Sequence, residues 1–327
     1  MKKEIITIGE ALIDFIPQQT GIDLKDVEGF VRRAGGAPAN VAAAAAKLGA
    51  CSSVITQVGK DAFGDYIVAT LERAGVGTDK IFRTAEANTA LAFVSLTEAG
   101  ERSFSFYRKP CADLLLDEEK IQPRLFADCY ALHFCSVDLI ESPMKHAHRK
   151  AISLAKEAGA LISFDPNVRL PLFERPEECR EAVLEFLPYA DIIKVSDDEL
   201  LFLFGSEDIE VIKKAVFGAG ARMLILTRGA DGSAVYLKNG NMAVAAGTPV
   251  QVADTTGAGD SHIGAFLYGL LQEGISRAEI DAVPTDTLQR ILEFAGAYSA
   301  YTTTKPGAIE AMATQSEIAA FLQEIKR

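Results

Sequence analysis

The chain has 327 residues, 49% of them hydrophobic, which is room for one large α/β domain or two smaller ones with a well-packed core. Its formal net charge of −12 makes nucleic acid and anionic membranes poor partners. The five scattered cysteines show no C-x-x-C spacing and the four histidines no carboxylate-flanked cluster, so neither a disulfide framework nor a zinc site is indicated.

Met1-Lys2-Lys3 runs straight into Glu4 and a short apolar run, with no signal peptide and no stretch long enough to span a bilayer, so a cytoplasmic protein is expected. Ile5–Ile8 reads as the first strand. Pro38–Leu48 reads as a helix with proline near its start and Gly49 behind it. A strand at Ser53–Val58 and a helix at Phe63–Ala74 follow, and further strands are expected at Tyr130–Phe134, Leu161–Phe164, Ile192–Val195 and Met223–Thr227. Helical patterns at about 142–158, 176–187 and 207–219 separate them, and about 258–274, 286–303 and 315–325 are helical again. This alternation predicts a three-layer α/β/α domain over residues 1–327 with a central, mostly parallel sheet. Two inserts, at about 12–34 and 88–110, have alternating aromatic patterns instead and predict a small antiparallel sheet serving as a lid, with a hairpin turn at Glu98-Ala99-Gly100-Glu101.

Ligands of an open α/β sheet sit beyond the carboxyl ends of its strands. Polar clusters follow the strands there: Gly9 to Asp14, Asp165 to Arg169, Ser196 to Glu199, and Arg228 to Gly232. Asp254-Thr255-Thr256-Gly257-Ala258-Gly259-Asp260 then leads into an apolar helix. A glycine turn opening a helix aims unpaired N–H groups at one spot, where the helix dipole also favours negative charge. Asp260 at the mouth of that cradle is either a general base for phosphoryl transfer to a hydroxyl or a helix cap. No G-x-x-x-x-G-K-[ST], no G-x-G-x-x-G after the first strand and no G-x-S-x-G is present, so P-loop, dinucleotide and serine-hydrolase chemistry are excluded as motif-based readings.

Gly35-Gly36-Ala37-Pro38-Ala39-Asn40-Val41-Ala42 and Asp254 to Phe266 together resemble the PfkB-type, or ribokinase-like, sugar kinases, and the likeness runs to Lys305-Pro306-Gly307-Ala308. Gly9 to Phe15, Phe104 to Leu114 and Asp165 to Leu172 resemble the fructokinase branch. The resemblance implies ATP-dependent phosphorylation of a sugar hydroxyl, D-fructose to fructose 6-phosphate foremost. The alternatives are 2-keto-3-deoxygluconate kinase and, in another class, a kinase-fold sugar sensor without turnover.

It further implies Asp260 as general base, with Gly257, Ala258 and Gly259 as backbone anion hole. Asp14, Gly35, Gly36, Asn40, Phe104, Tyr107, Arg108 and Arg169 would meet the sugar. Lys194, Thr227, Gly229, Gly232, Gly257 and Gly259 would lie along the nucleotide. Glu199 would organise magnesium brought with ATP, through water, and Asp254 and Thr256 would hold a monovalent cation such as potassium. A homodimer through the lid is a further expectation. Ser196, His262, Cys111 and Gly296 depart from the family pattern at the metal motif, the first helical turn, the lid and the adenine side.

Overall fold

The structure is a computed structural model that describes residues 3–19, 21–96 and 102–325. In chain order it contains β1 (Glu4–Ile8), β2 (Leu12–Pro17), β3 (Phe30–Gly35), α1 (Ala37–Lys47), β4 (Cys51–Gly59), α2 (Ala62–Arg73), β5 (Ile81–Thr84), β6 (Leu91–Leu96) and β7 (Arg102–Tyr107). There follow β8 (Cys129–Cys135), α3 (Pro143–Glu157), β9 (Leu161–Asp165), α4 (Pro176–Phe186), β10 (Ile192–Ser196), α5 (Asp197–Phe204), α6 (Ile209–Gly218) and β11 (Met223–Thr227). The last part has β12 (Ser233–Leu237), β13 (Met242–Ala245), α7 (Ala258–Gln272), α8 (Thr285–Thr303) and α9 (Gln315–Glu324). The hairpin turn expected at Glu98-Ala99-Gly100-Glu101 lies outside the described residues.

Nine strands form one sheet in the order β13-β12-β11-β10-β9-β8-β1-β4-β5. Its members from β11 to β5 are parallel, as continuous apolar runs such as Ile192–Val195 predict, because both faces of each strand are covered. Successive side chains point to opposite faces: Ile5 belongs to the core shared with α1, α2, α7, α8 and α9 on one side, Ile6 to the core shared with α3, α4, α5 and α6 on the other. The sequence pattern did not show β5, β12 or β13. Of the last two, β12 pairs antiparallel to β11 and β13 antiparallel to β12, closing the sheet with a hairpin.

The second sheet has four strands in the order β3-β2-β6-β7. The expectation of a wholly antiparallel sheet needs correction, since β2 and β6 pair in parallel at its centre. The reason is connectivity: α1, β4, α2 and β5 lie between them, so the chain returns in the same direction. One face of this sheet is aromatic. Phe15 stacks on Phe93 at 4.8 Å, and Phe30, Phe63 and Tyr107 meet that pair edge-on. Strand alternation puts Asp14 and Phe106 on the opposite face. No helix among the described residues is long and apolar enough to cross a membrane.

Candidate active site

A cavity of about 830 Å³ opens at the carboxyl edge of the large sheet. Its wall takes Glu10 after β1, Asp165 at the end of β9, Ser196 at the end of β10 and Thr227 at the end of β11, where an open parallel sheet leaves its loops free to receive ligands. Leu12, Asp14 and Phe106 of the small sheet join the wall, as does the start of α7.

The start of α7 has the features of an anion cradle. Gly257 caps the helix with φ +75°, a conformation that a side chain would strain, and a Cβ there would press on the Ala308 Cβ at 3.0 Å. The Ala258 N–H is engaged with the Thr255 carbonyl at 3.2 Å. That leaves the next amides of the first turn, Gly259 and Asp260, without a helical acceptor. A Cβ at Gly259 would lie 3.3 Å from the Lys194 Nζ, so the missing side chain is what lets an ammonium stand against the cradle.

Asp260 follows in that first turn, 9% exposed. Its Oδ2 accepts from the Asn40 side-chain N–H at 2.8 Å. Burial pushes its carboxyl up to about 6, and the Asn40 hydrogen bond, then Lys194 and Arg169, work against burial and Asp165. A buried carboxylate whose pKa approaches neutrality is suited to take a proton from an alcohol.

Asn40 comes from α1, whose position is fixed from several directions. Thr7 donates to the Pro38 carbonyl at 2.8 Å, and the Ala37 N–H donates to Glu10 Oε1 at 2.8 Å. Gly36 has φ +105°, and a Cβ on it would sit 2.4 Å from the Glu10 carbonyl oxygen. A Cβ on Gly35 would sit 2.3 Å from Asp14 Oδ2, so this glycine lets the Asp14 carboxylate lie across the turn. Gly36, Asn40, Asp14 and Asp260 therefore come together, with Arg169 also in the wall and its Nη1 donating to the Val168 carbonyl at 3.0 Å.

Lys194 is buried and pairs with Asp165 Oδ2 at 2.6 Å. Burial alone would lower it, but Asp165 above all, with Glu199 and Asp260, holds it above its ordinary value, so it stays charged. Glu199 closes a capping box at the start of α5: Oε2 accepts from the Ser196 N–H at 2.9 Å and Oε1 from the Val168 N–H at 2.7 Å. Burial, and next Asp165, raise its carboxyl. Thr227, Gly229 and Gly232 line the same side, and a Cβ on Gly232 would meet the Ala245 carbonyl at 2.1 Å. His262 is also in the wall, with Nε2 3.3 Å from the Ser233 hydroxyl; burial, then Lys194, lower it to about 3, so it is neutral.

Three expected sugar contacts need comment. Tyr107 does not face the cavity: period-two alternation sends Phe106 into the wall and Tyr107 to the aromatic face, 64% exposed. Arg108 is likewise outside the wall. It is buried, and its Nη2 pairs with both Asp113 and Asp138, because the chain leaves β7 there and dives into the body. Phe104 lies on β7, but its side chain falls outside the described residues.

Asp254 stands behind the cavity rather than in its wall. Its Oδ1 accepts from the Thr256 N–H and hydroxyl at 2.8 and 2.7 Å, and Oδ2 from the Gly307 N–H at 2.9 Å, tying the cradle loop to the loop after α8. Among the described residues no group of three or more His, Cys, Asp or Glu side chains forms a metal cage. Sequence reasoning gave no role to Glu10, to the segment from Ala246 to Val252, or to Ser299 and Ala300, all in the wall. Small apolar residues after an unrecognised hairpin left no signal for that segment.

Comparison with known proteins agrees with this geometry. Fructokinase-2 of Solanum lycopersicum is 41% identical over 320 residues, covering 98% of this chain and 96% of the relative. The crystal structure of fructokinase with bound ATP from Xylella fastidiosa superposes with a TM-score of 0.92 at 36% identity, covering 100% of both chains. A fructokinase double mutant from Vibrio cholerae O395, in a form bound to fructose, ADP and potassium ion, gives a TM-score of 0.86 at 32% identity over 98% of each chain. The family model for pfkB family carbohydrate kinases matches residues 2–315, and this chain belongs to that family.

Proposed function

We propose that the chain is an ATP-dependent fructokinase that converts D-fructose to fructose 6-phosphate. The observation that carries the reading is Asp260 at the mouth of the α7 cradle, held by Asn40 at 2.8 Å. Asp260 accepts the proton of the sugar hydroxyl as the oxygen–phosphorus bond forms and the bond from the γ-phosphorus to ADP breaks. The amides of the first turn and Lys194 meet the charge growing on the phosphoryl oxygens without reorganising. Asp14 and Gly36 position the sugar, and the small sheet serves as the lid that keeps water out.

The choice of fructose follows from charge and from the relatives. Glu10, Asp14, Asp165 and Asp260 in the wall suit a neutral polyol. Arg108, one of two cations a keto-acid would need, is occupied by Asp113 and Asp138. The relatives and solved structures above are fructokinases. An ADP-release assay over a panel of sugars tests this. Fructose should give the highest kcat/KM, and a value for 2-keto-3-deoxygluconate about tenfold above it would overturn the choice. Release of no ADP with any sugar would make the protein a sensor instead. In the same assay Asp14→Ala should raise the fructose KM far more than the ATP KM, since charge-assisted hydrogen bonds contribute roughly 1.5–3 kcal/mol each. Equal effects on both substrates would move Asp14 off the sugar.

Hard oxygen donors next to the cradle fit a divalent ion carried by ATP: Asp165 and Glu199 would hold magnesium through water rather than in a protein cage. When bound, that ion adds positive charge at the transferring phosphates. The carboxylate of Asp254, the hydroxyl of Thr256 and nearby carbonyls of 302–307 supply oxygen donors for potassium, which would stiffen the cradle. Rates in potassium should exceed those in a tetraalkylammonium salt at matched ionic strength. Identical rates would remove the cation role from Asp254 and Thr256.

A further inference from the structure

Three chain segments leave the carboxyl ends of β1, β7 and β8 and bury their polar side chains in one cluster. They bring Glu10, then Arg108 and Asp113, then Asp138, none of them more than 4% exposed. One guanidinium therefore stands among three carboxyl groups. The Arg108 Nη2 takes Asp113 and Asp138. Glu10 is not part of that pairing: its Oε1 accepts the Ala37 N–H at 2.8 Å, and its Oε2 is buried with no hydrogen-bond partner.

Glu10 also stands at the turn that leads into the acceptor side of the cavity. Gly36 is the N-cap of α1 and has no side chain to receive the first N–H groups of the helix, so Glu10 supplies that acceptor from another segment. Asn40 follows one turn later and holds Asp260. Whatever fixes Glu10 thus fixes the start of α1, and through it Asn40 and the base.

A helix start favours negative charge, acting as roughly half a positive unit, and this argues for an ionised Glu10. The other neighbours argue against it. Asp113 and Asp138 already outnumber Arg108, so a third buried carboxylate would add to a net negative charge. Asp14 and Asp260 share the cavity wall with Glu10 and bring no compensating positive charge. Burial, then Asp138, push the Glu10 carboxyl well above its ordinary value, with Arg108 opposing. The remaining titratable groups are neutral: burial pushes the Cys111 and Cys135 thiols up, and it lowers His148 on α3, behind Ile8, to about 4.

The oxygens point to where the proton goes. Asp138 Oδ1 is taken by Arg108, while its Oδ2 is buried with no partner, as Glu10 Oε2 is. Two unpaired carboxylates in one buried cluster repel, whereas one proton between them satisfies both. The competing arrangement is an ionised Glu10 turned toward the Arg108 Nε and Nη1, which are also buried without a partner.

We propose that Glu10 is a positioning residue that works as the neutral acid: its Oε2 shares a proton with Asp138 Oδ2, and this bond fastens the turn at 36–40 to the anchor of the small sheet at Arg108. As pH rises and the proton leaves, two carboxylates oppose each other, the turn loosens and fructose affinity falls. The inference rests on the sugar-kinase reading above for its fructose readout.

Infrared spectra of the intact protein at about pH 8, where unperturbed carboxyls are ionised, should show a protonated-carboxyl C=O band that Glu10→Gln removes. Identical spectra in that region would overturn the inference. In the ADP-release assay Glu10→Ala should raise the fructose KM about tenfold or more and the ATP KM less than about threefold, as expected for a buried hydrogen bond lost on the acceptor side. An unchanged fructose KM would overturn the positioning role. Glu10→Gln keeps an N–H for Asp138 and an oxygen for the Ala37 N–H, so it should recover most of that affinity. Its fructose KM should also lack the rise that the unaltered protein shows between pH ~7 and ~9. A glutamine variant as impaired as the alanine one, or as pH-dependent as the unaltered protein, is the result expected of an ionised Glu10 held by Arg108 and would overturn the proposal. If the alanine variant does not fold, the spectra and the glutamine variant decide alone. The spectra need no turnover. Release of no ADP would therefore remove the kinase reading and leave the proton assignment standing, whereas an unchanged band with normal turnover would do the reverse.

Discussion

Replacing Asp260 with asparagine should lower kcat by on the order of 10²–10⁴, the usual loss when a general base is removed. The amide keeps the shape and an acceptor for the Asn40 N–H, so binding of ATP and fructose should stay near normal. A variant retaining more than about a third of the wild-type kcat would end the assignment. The pH profile gives an independent check. Burial holds the Asp260 carboxyl near 6 rather than its ordinary 3.8. The ionised form is the one that accepts a proton, so wild-type kcat/KM should fall as pH drops through about 6, approaching about tenfold per unit. A profile flat down to pH ~5 would mean that another group takes the proton.

Arg108→Ala should cost about 3–5 kcal/mol of stability, the range for removing one partner of a buried ion pair. Arg108 is 4% exposed and its guanidinium engages Asp113 and Asp138, with Glu10 nearby. Burial already raises Asp138 to about 6 even with the arginine in place. Without it, that carboxyl must keep a proton or ionise unpaired. A group whose folded pKa is raised is best tolerated below its unfolded value and destabilises as pH climbs through the folded one. The penalty measured by urea unfolding should therefore be larger at pH 8 than at pH 5. A loss below about 1 kcal/mol at pH 8 would show that the cluster is not held by its charge.

What could be read in the sequence was what demands a particular residue type. Strands buried on both faces are continuous apolar runs, and β8 to β11 were placed to within a residue or two. Gly36 at φ +105° and Gly257 at φ +75° are positions where only glycine is unstrained, and they mark both halves of the motif pair. Strands β5 and β13 are four residues each and lie at the sheet edges, and β12 lies next to one of them. The helix α5 is not among the expected helices, since Asp197, Asp198 and Glu199 fill its first turn and read only as a polar cluster after a strand. The spacing of Ser196 and Glu199 was nevertheless a legible capping box. The pairing of Arg108 with Asp138 could not be read, because it depends on where β7 delivers the chain.

The small sheet is more than a cover. Asp14 is on β2, and β3 runs through Gly35 into Gly36 and α1 with no linker. Part of the cavity wall is thus carried by the small sheet itself, through Leu12, Asp14 and Phe106. Any displacement of that sheet takes Asp14 away from Asn40 and Asp260. If the small sheet acts as the lid proposed above, ATP bound to an open molecule would face an incomplete acceptor site, a built-in restraint on wasting the nucleotide on water.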